Sequence, residues 1–210
     1  SLSFLNPYLK KNGIHVVFKK NKKLSHPEGY QLTITQKNIQ IDYKTDRGAF
    51  YGTQSLKQIL EDAQKTKILT AQTIEDYPDA AFRGTVEGFY GEPWSFEDRV
   101  AQLKFYGHWK LNTYIYGPKD DPYHSSPKWR EPYPVDESNR LKELVKIAKE
   151  NEVDFYWAIH PGKDIKWDKN DSIAVLHKFD LMYELGVRHF AVFSDDISGE
   201  GTKAEKQAGL

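Results

Sequence analysis

Residues 189 to 201 read HFAVFSDDISGEG. The run begins apolar, as a buried strand does, and then sets Asp195 and Asp196 side by side. Adjacent carboxylates repel, and the repulsion is a chemical tool: an ionised neighbour raises the second group's pKa, so one can stay protonated as an acid while the other stays charged. Two other readings stand beside this one. Ser194, Asp195 or Asp196 could cap the following helix by accepting from its first amides. Carboxylates at a strand end can also hold a hard cation such as Mg2+, although no His or Glu at fixed spacing completes a ligand set.

Further reactive groups stand at the ends of three earlier apolar runs. GTVEGFY, 84–90, carries Glu87, Gly88 and Tyr90. NTYIYGP, 112–118, ends in Gly117 and is followed by Lys119, Asp120 and Asp121. DFYWAIHP, 154–161, carries His160. Lys119 reads either as the ion-pair partner of Asp120 or Asp121 or as a donor to a substrate hydroxyl. Glu87 reads as a second acid, or as a carboxylate tied to Arg83 or to the backbone. His160 reads either as a buried, hydrogen-bonded histidine or as a catalytic one, and the first is favoured because no serine or cysteine nucleophile motif accompanies it.

The elements that must position these groups alternate. The apolar runs starting at 84, 112, 154 and 189 are separated by amphipathic segments at 95–107, 139–152 and 174–186, which predicts parallel strands joined by crossover helices. A doubly wound sheet and a (β/α)8 barrel both fit that order. No G-x-G-x-x-G follows the first strand, and every strand ends in polar or aromatic residues, which favours the barrel, whose strand ends converge on one pocket. Eight βα units need about 250 residues, so the fold class is α/β, with 79–210 as the N-terminal half of a (β/α)8 TIM-type barrel. Ahead of it, GIHVVF, YQLTIT and NIQIDY read as strands, the last two joined through Gln36 and Lys37 as a hairpin. They precede a helix over 46–64 in which Phe50, Leu56, Ile59 and Leu60 recur at helical spacing and Asp46 is the expected N-cap. Residues 1–78 therefore read as a small, incomplete α+β domain bounded by Pro78.

Composition removes several classes of function. Lys plus Arg and Asp plus Glu each number 30, so the electrostatic footprint of a nucleic-acid binder is missing, and the basic run KKNKK at 19–23 reads as a solvated loop. The chain has no cysteine, so no disulfide or thiolate metal site is available. No apolar stretch reaches the roughly 20 residues of a membrane span, and SLSFLNPYLKK lacks signal-peptide architecture; a secreted or periplasmic location is compatible and is the expectation. Aromatic residues cluster with Gly and Pro in VEGFYGEPWSF, YIYGPKDDPYH and FYWAIHPG, as core or as pocket walls that stack on a sugar ring.

Together RGTVEGFYGEPWS, NTYIYGPKDDPYHS, WAIHPGKDIKW and FAVFSDDISGEGT closely resemble the β-N-acetylglucosaminidases of glycoside hydrolase family 84, which includes bacterial relatives of the protein O-GlcNAcases and enzymes described as hyaluronidases. The resemblance spans residues 80–205 in order; the first 75 residues resemble, less sharply, the domain preceding the barrel in those enzymes. It implies a retaining exo-hydrolase without a cofactor or metal, acting on GlcNAc-bearing glycoproteins or glycans, in which the substrate's 2-acetamido group is the nucleophile. That would explain the paired aspartates. A retaining enzyme with its own nucleophile sets two carboxyls about 5 to 5.5 Å apart, and substrate-assisted families are the exception. By the resemblance, Asp195 holds the amide N–H, Asp196 is the general acid and base, Gly88 and Lys119 contact sugar hydroxyls, and Tyr90 walls the pocket. The family's second half-barrel is not in this sequence, so these residues alone are expected not to turn over. A carbohydrate-binding or scaffold module, and a metal-dependent aldolase or isomerase on the same barrel, are the competing readings.

Overall fold

The computed structural model describes residues 15–166 and 168–195. The chain divides into two compact units, one running to Ala81 and one from Phe82 onward, with Gly107–Lys110 grouped with the first.

The first unit is a four-stranded sheet with one helix. Strands β1 (His15–Lys20), β2 (Tyr30–Ile34), β3 (Asn38–Tyr43) and β4 (Gln72–Asp76) lie in the order β1-β3-β2-β4, with helix α1 (Asp46–Thr66) between β3 and β4 in sequence. The expected hairpin is present: β2 and β3 are antiparallel with Tyr30 opposite Tyr43 and Ile34 opposite Ile39, and Thr35 N–H donates to Asn38 O at 2.9 Å across the turn. Strict alternation buries Tyr30, Leu32 and Ile34 on one face of β2, where they meet Ile39, Ile41, Tyr51, Leu56 and Leu60. Phe50 and Ile59 pack partly buried against that cluster. Each fully buried aliphatic side chain stabilises by about 1.5–3 kcal/mol. Three sequence expectations need correction. The N-cap of α1 is Thr45, whose side chain accepts from Gly48 N–H, and Asp46 is the first helical residue, where its charge suits the positive end of the helix dipole. The run Gln72–Asp76, read as the tail of the domain, is a strand antiparallel to β2. Lys19 and Lys20 of the basic run finish β1 rather than lying in a loop, although they are exposed as expected.

The second unit carries strands β5 (Gly84–Glu87), β6 (Thr113–Tyr116), β7 (Asp154–Ile159) and β8 (His189–Val192), with helices α2 (Phe96–Trp109), α3 (Val135–Glu150) and α4 (Lys169–Glu184) as the three crossovers. The sheet order is β5-β6-β7-β8 and every pair is parallel. Each strand adds on the same side of the last, which is the progression of a barrel; a doubly wound sheet reverses its order at a switch point. These are the first four strands of a (β/α)8 barrel preceded by a small α+β unit. The core lies between sheet and helices, where Tyr114, Tyr116, Phe155, Trp157 and Ile159 meet Leu103, Tyr106, Leu141, Leu144, Ala148 and Met182. Trp129 and Tyr133, from the long segment between β6 and α3, are buried in the same cluster. Among the described residues β5 and β8 are the sheet's edges, and Val86 and Val192 are exposed there.

Candidate active site

Parallel register places Glu87 beside Tyr116, Tyr116 beside Trp157, and Ile159 beside Val192. The residues that follow these positions therefore emerge at one end of the sheet. Gly88, Tyr90, Lys119, His160 and Asp195, chosen from sequence, all lie at that end; Asp196 lies outside the described residues.

Lys119 and Asp195 are joined directly. Lys119 Nζ donates to Asp195 Oδ2 at 2.5 Å, with the lysine side chain 3% exposed and the aspartate 56%. Lys119 thus has an acidic partner, but that partner is neither Asp120 nor Asp121. The reason is reach: the lysine leaves the end of β6 and crosses to the end of β8, a contact that neighbours in sequence do not encode. The hydrogen bond from Lys119 holds the Asp195 carboxyl below its usual range, against a smaller opposing effect of burial. Lys119 Nζ also stands 5.6 Å from the Tyr90 ring centroid and 5.9 Å from that of Phe193. Tyr90 is exposed, so its ring forms an open wall beside the lysine.

His160 supports Asp195 from beneath. It is fully buried. Its Nε2 lies 2.7 Å from Asp195 O and 3.4 Å from Asp195 Oδ1, and its Nδ1 faces Ser125 Oγ at 3.4 Å. A ring nitrogen against a carbonyl must be the N–H, so the Nε2 proton goes to the Asp195 backbone. His160 is a hydrogen-bonded structural histidine, as expected, and its partner is the candidate catalytic residue. Beside it, His124 Nδ1 lies 3.1 Å from Ala158 O, and among the described residues its buried Nε2 has no hydrogen-bond partner. Burial drives the His124 pKa down to about 4, so its ring is neutral.

The two glycines at the strand ends have a packing role. A Cβ on Gly117 would stand 2.4 Å from Phe193 Cε2 and 3.2 Å from Ala158 Cβ, and one on Gly88 would stand 3.2 Å from Val86 Cγ1 and 3.6 Å from Phe193 Cε2. The Phe193 ring lies over both positions, two residues ahead of Asp195. A side chain at 117 would displace it.

Glu87 is spent on structure. Its carboxylate, fully buried, receives Arg99 Nε at 2.9 Å and Nη2 at 2.7 Å, Trp94 N–H at 3.2 Å and the Tyr114 hydroxyl. The charged partner is Arg99, in the first turns of α2, rather than Arg83. With its oxygens so occupied, Glu87 is not placed to act as an acid. Asp121 is likewise consumed: Oδ2 accepts from Tyr116 and Tyr133 hydroxyls at 2.8 and 2.7 Å, and Oδ1 from the backbone of Tyr123 and His124 at 2.8 and 3.3 Å. Arg99 and Phe193 went unmarked in the sequence reading, because an arginine on a helix and an aromatic at a strand end carry no local sign of their partners. Among the described residues no three His, Asp or Glu side chains gather as a metal site would require, and no helix is long and apolar enough to cross a membrane.

A family model described as beta-N-acetylglucosaminidase matches residues 83–209, the segment that carries all of these positions. The chain belongs to the β-N-acetylglucosaminidases of glycoside hydrolase family 84. Within that family, the solved structure of CpGH84B is 45% identical, with a TM-score of 0.80 over 90% of this chain and 34% of its own. CpGH84D is 32% identical with a TM-score of 0.73, over 89% of this chain and 35% of its own. The protein O-GlcNAcases of Rattus norvegicus and Mus musculus are each 42% identical over 125 residues, 59% of this chain and 14% of theirs. The chain thus spans about a seventh of these curated relatives and about a third of the solved structures. Residues 5–77 match a second model, described as glycosyl hydrolase family 20, domain 2.

Proposed function

We propose that the protein carrying this chain is a retaining exo-β-N-acetylglucosaminidase that removes terminal β-linked GlcNAc from glycoproteins or glycans by substrate-assisted catalysis. The observation that carries the reading is the Lys119–Asp195 pair at the ends of β6 and β8: a carboxylate kept ionised by a buried ammonium, yet more than half exposed. Such a group suits the task of accepting the acetamido N–H and balancing positive charge as the amide oxygen attacks C1. Asp196 then protonates the leaving oxygen and afterwards deprotonates water. Gly88 and Lys119 meet sugar hydroxyls, and Tyr90 forms the wall. The oxazoline intermediate opens to water on the face the aglycone left, so configuration is retained.

The two aspartates separate by leaving-group dependence. Asp196→Ala in the whole protein should slow hydrolysis most for poor leaving groups, since an aryl oxygen of low pKa departs without a proton. Asp195→Ala should slow every substrate, because charge develops on the acetamido group whichever alcohol departs. Plots of log(kcat/KM) against leaving-group pKa should be steep for Asp196→Ala and shallower for Asp195→Ala. Parallel or reversed slopes refute the roles. A wild-type protein that binds GlcNAc but hydrolyses no aryl β-N-acetylglucosaminide refutes the enzymatic reading in favour of a carbohydrate-binding module, and activity lost to a chelator refutes it in favour of a metal enzyme.

A further inference from the structure

One concavity has neither Lys119 nor Asp195 in its lining. It encloses about 390 Å3, between the loop after β5, the loop after β6 and the first turns of α3, within the size range of about 300–1,000 Å3 in which small ligands bind. Its floor is preorganised and chemically spent: the Tyr116 and Tyr133 hydroxyls both donate to Asp121, and Arg99 is committed to Glu87. Its rim is unspent. Trp94, half-buried with its ring edge-on to Phe89 at 5.4 Å, lines the cavity, and among the described residues its indole N–H has no partner. Around it stand the exposed carboxylates of Glu92, Asp120 and Glu137 and the exposed guanidinium of Arg140, none of which forms an ion pair among the described residues.

That lining selects a ligand class. Three unpaired carboxylates against one unpaired guanidinium leave surplus negative charge, which repels anions. The same surplus attracts cations, but an ammonium carries donors only and leaves the Arg140 guanidinium and the Trp94 indole N–H without an acceptor. A neutral ligand rich in hydroxyls can donate to the carboxylates and accept from Arg140 and the indole N–H, while its C–H face lies on the Trp94 ring. We propose that this cavity is a second saccharide site, for a neutral glycan, separate from the Asp195 pocket. The loop 117–122 serves both: Lys119 turns towards Asp195, while Pro118 and Asp120 line the cavity. The inference stands on this cavity alone and does not need the protein to be a hydrolase.

The test is calorimetric titration of the whole protein with the S-linked, hydrolysis-resistant analogue of N,N′,N″-triacetylchitotriose, in the wild type and in Lys119→Met, a substitution at a residue outside the cavity lining. Lys119→Met should retain the cavity's binding event, and adding Trp94→Ala should weaken that event at least tenfold. Because Trp94 touches the core, Glu137→Gln with Arg140→Met, on the exposed face of α3, supplies a second variant pair, expected to weaken the same event at least fivefold with the melting temperature unchanged. A hyaluronan hexasaccharide and a tetralysine peptide should bind at least tenfold more weakly at this site. Loss of all binding in Lys119→Met, or binding there untouched by both variant sets, overturns the site. Equal or tighter binding of either charged probe overturns the ligand class.

Discussion

Replacing Lys119 by Met tests the pair on which the functional reading rests. The substitution removes an ammonium whose Nζ lies 2.5 Å from Asp195 Oδ2 and leaves a side chain of similar length, so packing around a 3% exposed position changes little. Two unit charges about 4 Å apart interact by about 1 kcal/mol in water and about 4 kcal/mol at an effective dielectric of 20. Since the aspartate is 56% exposed, solvent screens the pair and the lower part of that range applies, about 1 kcal/mol. The sign follows from the direction of the shift. Lys119 lowers the Asp195 pKa, so its loss raises that pKa and Asp195 becomes neutral at a higher pH. The acid limb of kcat/KM for an aryl β-N-acetylglucosaminide, measured on the whole protein, should therefore move to higher pH. The alkaline limb, which belongs to another group, should move less. An acid limb that stays in place or moves down would show that the Lys119 charge does not govern Asp195.

His160→Ala deletes the donor to the Asp195 carbonyl at 2.7 Å and should lower kcat/KM at least tenfold, a misplacement effect that His160→Gln, which keeps an N–H donor, should partly restore; full activity in the alanine variant would refute it. His124 has a folded pKa of about 4 against 6.5 ordinarily, so the unfolded chain takes up its proton first. Stability should fall as pH drops through 6.5 towards 4, by about 3 kcal/mol in all, and His124→Phe should flatten that slope in urea melts taken across the range. Arg99→Met strands the fully buried Glu87 carboxylate and should cost about 3–5 kcal/mol, read as a lowered denaturation midpoint with an unchanged m-value; an unchanged midpoint refutes it.

The alternation of apolar runs with amphipathic segments determined that residues from 84 onward form parallel strands with crossover helices, because periods of 2 and 3.6 record which side of each element meets a core. The adjacency of Asp195 and Asp196 could be read from the letters alone, and so could the place of Asp195 just beyond a strand end. Boundaries were less legible. Thr45 and Asp46 are both good caps, and the choice rests on which side chain reaches Gly48 N–H. The strand Gln72–Asp76 hid because its burial pattern leaves Ile74 alone against the core, and it owes its form to hydrogen bonding along β2. What the tertiary structure alone decided was partnership. Lys119 had acidic neighbours one and two residues away and bonded to a carboxylate 76 residues on; Glu87 had Arg83 nearby and took Arg99; His160 turned its N–H to the backbone of Asp195. Sequence patterns report whether a position is buried, which depends on the element's own period. An ion pair depends on the register between strands and on the direction of each Cβ, and those exist only once the strands have been laid side by side.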